Sequence, residues 1–158
     1  LRLASSRRCL VASPDYLARR GTPASLAELE AHDGIYYAHR GVADWRLVGP
    51  GGAVLVRARA ALRVNNGDVM RDAAIAGLGI ALLPSFIMGE ALRAGALLPV
   101  EVGAEAEREF IFLAHAEGRR VSAKLRALVS HLRRTFGDPP LWDRPVSPPA
   151  ASPAPPPG

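Results

Sequence analysis

The sequence predicts an α/β fold with a largely parallel sheet that helices cover on both faces. Through most of the chain, short apolar runs of strand length alternate with segments that carry helix caps, which is the pattern of such folds. With 49% hydrophobic and 22% charged residues, the composition is that of a globular protein. Seven of the 14 prolines lie in residues 145–158, which have little to bury, so the foldable part is about residues 1–143.

The helices are predicted mainly from the residues at their ends. Ser13 precedes a proline at the first helical position, and Gly21 follows the end of that helix. Ser25 and Glu28 have the spacing of a capping box. With the later glycines and a serine cap at 122, these signals predict helices over 14–20, around 26–29, over 69–76, over 86–94 and from 122 to about 136.

Apolar runs of four or five residues predict the strands. They cover 8–12, 35–38, 61–64, 80–83, 97–100 and 110–114, and a glycine-rich turn over 49–52 joins two more strands, 45–48 and 53–56, into a hairpin. The charged segment 101–109 is predicted to be an acidic loop. In the last helix, five apolar side chains at helical spacing form one face: Leu125, Leu128, Val129, Leu132 and Phe136.

The net charge of +5 does not by itself indicate nucleic-acid binding. The cationic residues are 19 arginines and one lysine, Lys124, which are scattered along the chain with only short pairs such as Arg7-Arg8. A nucleic-acid site gathers basic residues on one face, usually with a recognisable reading element, and no such element is visible. A solvated, arginine-rich surface is the favoured interpretation.

Several other classes of protein do not fit. The single cysteine, Cys9, cannot form an internal disulfide, and its apolar neighbours favour an inert buried thiol. The longest uncharged stretch has 17 residues and is interrupted by glycines and a proline, whereas a membrane helix needs about 20 apolar residues. The four histidines lack metal-ligand spacing, and no nucleophile motif is present. We therefore expect no catalytic residue, no metal and no cofactor, and a cytoplasmic location.

Two groups of residues are candidates for ligand contact. The turn Asn65-Asn66-Gly67-Asp68 precedes a helix whose free N–H groups could hold a carboxylate or phosphate. The alternative is an ordinary helix cap in which Asp68 satisfies its own helix. Tyr36 and Tyr37 are adjacent on a strand and must point to opposite faces, so one could pack in the core while the other reaches a pocket. Both could also be packing aromatics.

A linked set of segments spans residues 1–137. It includes Arg-Arg-Cys-Leu-Val-Ala-Ser-Pro-Asp-Tyr-Leu at 7–17, Gly-Thr-Pro at 21–23, Trp45, Asn-Asn-Gly at 65–67, Ala-Ile-Ala-Gly-Leu-Gly-Ile-Ala-Leu-Leu-Pro-Ser-Phe at 74–86, Gly-Ala-Leu-Leu-Pro-Val at 95–100 and Ser-Ala-Lys-Leu-Arg-Ala-Leu-Val at 122–129. In this order and spacing, the set resembles the effector-binding domain of LysR-type transcriptional regulators.

The resemblance implies a fold like that of the type 2 periplasmic binding proteins, in which two α/β lobes are joined by two crossover strands. It implies crossovers at 8–12 and 110–114, a second lobe over about 13–109 and a closing helix. The first lobe would be largely missing from this chain, which starts at Leu1 rather than at a methionine and is expected to come from a longer protein. Residues 138–158 would form a Pro-rich disordered tail.

The family binds its effector between the lobes, and the resemblance carries that site to particular residues. The effector-binding candidates are Tyr36, Tyr37, Asn65, Asn66, Gly67, Asp68, Leu83 and Pro84. The implied partners are a small-molecule effector and further copies of the chain, as a homodimer or homotetramer. DNA would be contacted only through a helix-turn-helix domain that this chain lacks, and no membrane contact is expected.

The favoured function is therefore the effector-binding and oligomerisation part of a LysR-type transcriptional regulator, which is not an enzyme. One alternative is a periplasmic solute-binding protein of the same type 2 fold, which a signal peptide upstream of Leu1 would indicate. A second alternative is a small α/β enzyme with a dispersed site, for which loss of an activity on changing Asp68 or His115 would be needed.

Overall fold

The computed structural model describes residues 1–43, 45–116 and 122–143. The strands are β1 (Arg2–Ser6), β2 (Arg8–Ala12), β3 (Asp33–Tyr37), β4 (Arg46–Gly49), β5 (Gly52–Leu55), β6 (Arg59–Val64), β7 (Ile80–Pro84), β8 (Leu98–Pro99), β9 (Glu105–Ala106) and β10 (Glu109–Phe112). The helices are α1 (Pro14–Arg20), α2 (Leu26–Glu30), α3 (Gly67–Ile75), α4 (Ser85–Arg93) and α5 (Ala123–Phe136). Short 3-10 helices cover Ala38–Ala43 and Leu141–Asp143.

A five-stranded sheet in the order β6-β3-β7-β2-β8 forms the centre of the fold. The pairs β3–β6 and β3–β7 are parallel, and β2 pairs antiparallel with both β7 and β8. Four of the five strands therefore run in one direction and β2 runs against them, which confirms the predicted largely parallel sheet.

Helices cover both faces of this sheet, as the sequence predicts. On β7, Ile80 and Leu82 pack into a cluster with side chains of α1, α2 and β4, whereas Ala81 and Leu83 pack into a second cluster with α3 and α4. The alternation follows from the two-residue period of a strand. Because both faces are buried, every side chain from Ile80 to Leu83 is apolar.

Strands β1 and β10 form an antiparallel pair outside the main sheet, as two crossover strands would, and they are called the crossover strands below. The resemblance placed the first crossover at Arg8–Ala12, and this position is wrong because that segment is β2 of the main sheet. The apolar run that follows Arg8 reflects burial on both faces of the sheet. Arg2–Ser6 pairs through its backbone, and only Leu3 and Ala4 of its five side chains are apolar. Helix α5 packs on β1, where the Arg133 guanidinium donates to the Arg2 carbonyl oxygen at 2.8 Å.

Other predicted boundaries also change. The segment 101–109 is not a continuous loop, because β9 (Glu105–Ala106) pairs with β4 and Glu109 begins β10. Strands pair through their backbone groups, so a strand with charged side chains can form. The charged side chains of this segment therefore gave no sign of β9 or of the start of β10. Helix α3 begins at Gly67, two residues before the predicted start, and the strand predicted over 97–100 is reduced to Leu98–Pro99.

The first six residues of the predicted tail have defined structure. The 3-10 helix Leu141–Asp143 follows α5, and its Trp142 ring lies 6.0 Å from the ring of Phe86 on α4 and 5.3 Å from that of Phe136 on α5. Disorder of the remainder stays a prediction, because 144–158 lie outside the described residues. Of the predicted apolar face of α5, Val129 is buried but Leu128 is 46% exposed. Within the described ranges, no helix has the length and apolar character needed to cross a bilayer.

The buried His32 side chain links α1 to the start of β3. The Tyr16 hydroxyl lies 3.0 Å from His32 Nδ1 and accepts a hydrogen bond from the backbone N–H of Asp33 at 2.9 Å. Its own proton is therefore available for Nδ1, which accepts it only in the neutral ring. Burial lowers the pKa of His32 below its ordinary value.

We expect acidification to destabilise the domain through His32. Because its folded-state pKa is lowered, the unfolded chain binds more protons once the pH falls below the ordinary value of about 6.5. The contribution of the neutral His32 to the free energy of unfolding is complete above that pH. It is lost as the pH falls toward the folded-state pKa, by up to about 1.4 kcal/mol per pH unit. Urea titrations at a series of pH values measure this slope. His32→Gln should flatten it, whereas His131→Gln at an exposed position of α5 should not; an unchanged slope in His32→Gln would contradict the assignment.

Candidate functional site

The carboxyl ends of β3 and β7 open onto a cavity of about 350 Å³. Tyr37 ends β3, and Leu83 and Pro84 end β7. The first turns of α3 and α4 stand beside them and contribute Gly67 and Phe86. The crossover strands β1 and β10 supply further wall residues. Ligands of open α/β sheets bind outside the carboxyl ends of the strands, so this is the expected position for a binding site.

The two adjacent tyrosines have different surroundings. Tyr36 is buried in the core, where its hydroxyl donates to the Ala58 carbonyl oxygen at 3.0 Å and its ring lies 4.9 Å from that of Trp45. Tyr37 is half-buried on the opposite face and lines the cavity. The structure therefore matches the prediction that one tyrosine packs in the core while the other reaches a pocket. Tyr36 is the core residue and is not part of the cavity wall.

The turn before α3 contributes only Gly67 to the cavity wall. The Asn66 side-chain oxygen accepts hydrogen bonds from the backbone N–H groups of Asp68 at 2.8 Å and Val69 at 3.1 Å. Asn66 is therefore the helix cap, a role that the alternative interpretation gave to Asp68, whose carboxylate instead pairs with Arg71 at 2.9 Å. Asn65 and Asp68 are exposed. A contact of these residues with an effector stays a prediction.

Three charged residues that the sequence analysis did not single out line the same cavity. Glu109 Oε1 lies 2.7 Å from Arg40 Nη1 and 4.0 Å from Arg8 Nη1. Arg8 begins β2 and is only 9% exposed, and its Nη2 donates to the Leu82 carbonyl oxygen at 3.2 Å. Arg40 comes from the 3-10 helix after β3 and Glu109 from the start of β10. The ion pair thus connects the main lobe to a crossover strand.

Two further features bear on reactivity: the placement of possible metal ligands and the protonation of the Cys9 thiol. In the described part of the chain, no three His, Cys, Asp or Glu side chains come together as a group that could hold a metal ion. Burial raises the pKa of the Cys9 thiol, which favours the unreactive protonated form. Cys9 is half-buried and packs against the cluster beneath α3 and α4.

Comparison with known families agrees with this architecture. The sequence model of the LysR substrate binding domain matches residues 1–137. The chain belongs to this family. The match covers both crossover strands, the main sheet and α5, so the cavity lies where the two crossovers meet the lobe of a LysR substrate-binding domain.

Individual relatives of this LysR-family chain are transcriptional regulators. The HTH-type transcriptional regulator PgrR of Escherichia coli (strain K12) is 44% identical over 78 residues, which are 48% of this chain and 26% of PgrR. The HTH-type regulator YhjC of the same strain is 33% identical over 124 residues, 77% of this chain and 42% of YhjC. The chain spans less than half the length of each relative. Neither name describes a solute-binding protein or an enzyme.

A solved structure confirms the fold of this LysR family member. The full-length Vibrio cholerae virulence activator AphB, a member of the LTTR protein family, superposes with a TM-score of 0.71 at 25% sequence identity. The superposition covers 85% of this chain and 46% of AphB. The predicted type 2 periplasmic-binding-protein-like fold is therefore confirmed.

Proposed function

We propose that this domain senses a small-molecule effector in the cavity and passes the signal to a DNA-binding domain of the same regulator. The observation that carries the proposal is the composition of the cavity wall. Tyr37, Gly67 and Pro84 come from the main lobe, whereas Ser6 and Glu109 come from the crossover strands. A ligand in this position contacts two structural units at once.

Such a ligand would act by shifting a population of conformations. If the crossover pair can take two positions relative to the main lobe, a ligand that contacts both units binds one arrangement better than the other. The equilibrium then shifts toward that arrangement, and the size of the shift is set by the difference between the ligand's binding free energies to the two arrangements. The Arg40–Glu109 contact joins the same two units, so it would be made or broken in the change.

The remaining partners follow from the family. The matched relatives are named HTH-type regulators, which supports DNA binding through a helix-turn-helix domain outside this chain. We propose assembly as a homodimer or homotetramer and action in the cytoplasm, with the ligand bound and released unchanged, which is why the domain is not an enzyme. Apolar side chains on α5 and β10, including Leu128 and Phe112, are exposed in the isolated chain and are available for contacts with further subunits or segments.

We expect Tyr37→Ala, in the full regulator, to weaken the transcriptional response by at least about tenfold in effector concentration, because the side chain forms part of the cavity wall. Operator binding without effector should stay the same. The measurement is a dose–response curve in a reporter strain grown on candidate effectors, together with operator binding by the purified protein. Leu55→Ala, on the exposed side of β5, is the matched control. Equal responses of both variants and the wild type would contradict the cavity as the sensing site.

A further inference from the structure

Residues 138–143 return from the end of α5 to the main lobe, and we call this segment the C-terminal clasp. Helix α5 ends at Phe136, and Gly137, with φ +79°, turns the chain out of the helix. The 3-10 helix Leu141–Asp143 then packs on α4. A Cβ built at Gly89 of α4 would lie 3.4 Å from the Trp142 carbonyl oxygen, so the backbone of the clasp is in close contact with the helix.

The Trp142 ring joins α4 to α5. It lies 6.0 Å from the ring of Phe86, which belongs to the first turn of α4 and to the cavity wall. It also lies 5.3 Å from the ring of Phe136 on α5. The ring planes are inclined at 71° and 60°, as edge-to-face attraction between aromatic rings favours. Because α5 packs on β1, one side chain links the main lobe to the helix that accompanies the crossover strands.

The clasp also contacts the point where the chain passes from the crossover strands to the main sheet. Arg7 is the single residue between β1 and β2, and its carbonyl oxygen accepts a hydrogen bond from the Ser85 N–H at 2.7 Å. Asp143 Oδ1 of the clasp lies 3.5 Å from Arg7 Nε. The Asp143 side chain is only 5% exposed, so the clasp is closely packed at this point.

A second cavity, of about 310 Å³, lies at the same junction. The clasp contributes Pro139 and Asp143 to its wall. The other wall residues belong to the passages between the crossover strands and the main lobe: Ser5, Ser6, Arg7, Arg108 and Glu109. Hinges of domain movements are a few residues at the ends of such elements. The clasp therefore lies beside both connections about which the crossover strands would turn.

The contacts of the clasp are of a kind that can open. The ion pair with Arg7 is long, and the Arg7 side chain is 65% exposed, so water screens it. The buried indole Nε1 of Trp142 has no hydrogen-bond partner among the described residues, and opening would expose it to water. Ring packing is therefore opposed by the cost of a buried donor, and a modest free energy separates the closed clasp from the open one.

We infer that the C-terminal clasp holds α5 and the crossover strands in one position against the main lobe, and that its opening lets them move. The inference rests on the proposed function for its consequence, because effector and clasp then act on the same equilibrium. Phe86 connects the two, since it lines the effector cavity and its ring contacts Trp142. A ligand that displaces Phe86 thereby alters the contact that keeps the clasp closed.

The first test measures amide hydrogen exchange by NMR in the 158-residue chain. In Trp142→Ala the Ser85 N–H, which is bonded to the Arg7 carbonyl oxygen, should exchange at least about tenfold faster than in the wild type. The Val100 N–H, which donates to the Leu10 carbonyl oxygen within the main lobe, should keep its rate. An unchanged rate at Ser85 would overturn the inference. Equal acceleration at both amides would overturn it too, because the substitution would then destabilise the whole domain.

A second substitution opens the clasp from the other side of the contact. In Gly89→Ile the side chain branches at Cβ, next to the Trp142 carbonyl oxygen, while isoleucine is a better helix former than glycine. It should accelerate exchange at Ser85 as Trp142→Ala does. Gly89→Ala, whose Cβ makes only ordinary contact, and Leu141→Ala, at a side chain that is 50% exposed, are the matched controls. Equal acceleration in these controls would contradict the role of the clasp.

The final experiment measures reporter transcription by the full regulator without added effector. Trp142→Ala and Gly89→Ile should change this level by about threefold or more and in the same direction, because both remove one contribution to one equilibrium. No change, or changes in opposite directions, would overturn the inference. If Tyr37→Ala still weakens the dose–response curve in that case, the proposed sensing function stands. If both clasp variants change the level but Tyr37→Ala leaves the dose–response curve unchanged, the cavity fails as the sensing site and the clasp stands.

Discussion

Replacing Gly79 by valine is expected to unfold the domain. A Cβ atom at this position would meet the backbone of Asp33, with the carbonyl oxygen in direct conflict and the carbonyl carbon at 2.9 Å. Asp33 begins β3, which is hydrogen-bonded on both sides in the main sheet, so this backbone cannot move away. The expected loss is about 3 kcal/mol or more, a large part of the roughly 5–15 kcal/mol that stabilises a domain. Urea unfolding followed by far-UV circular dichroism measures it.

The control for this substitution is Gly51→Val in the hairpin turn. No atom lies within 4 Å of a Cβ built at Gly51, and its backbone dihedral is not in the left-handed region, so little change is expected. The turn between α3 and β7 depends on Gly77, which has φ +78°, rather than on Gly79. A Gly79→Val variant with the same unfolding midpoint as Gly51→Val would show that β3 and the segment before β7 are not in close contact.

Helix ends were predictable because their signals are local. Ser13, Ser25 and Ser122 each accept a backbone N–H three residues ahead, at 3.2 Å, as their positions in the sequence predict. The strands β1 and β9 were missed for the opposite reason. Their partners, β10 and β4, are distant in the chain, and pairing through the backbone leaves no requirement for apolar side chains.

The site was predictable only in part. The alternation of a strand requires Tyr36 and Tyr37 to face opposite ways, but which one enters the core depends on Trp45, whose packing against Tyr36 is a tertiary contact. Arg8, Arg40 and Glu109 come from three separate segments, among 20 basic and 15 acidic residues. In the sequence, each is indistinguishable from a solvated surface charge. Burial and proximity single them out, and both are properties of the folded chain.

Trp45 is the second position where we expect a large effect. Its side chain is fully buried, and its ring packs 4.9 Å from Tyr36 between the main sheet and the small sheet β5-β4-β9. Trp45→Ala should cost about 4 kcal/mol, since the loss of so large a side chain leaves a cavity that the two sheets cannot close. Urea unfolding of the variant and the wild type, followed by far-UV circular dichroism, gives the difference in the free energy of unfolding.

Trp45→Phe separates packing from hydrogen bonding at the same position. The indole Nε1 is buried and has no hydrogen-bond partner in the part of the chain that the structure describes, so removing it leaves no group stranded. Phenylalanine keeps a ring against Tyr36, and the expected loss is therefore less than half that of Trp45→Ala. Leu55→Ala, at an exposed position of the same small sheet, should change the free energy of unfolding by no more than about 0.5 kcal/mol. Equal losses in the phenylalanine and alanine variants would contradict the claim that a ring packed against Tyr36 stabilises the contact between the two sheets.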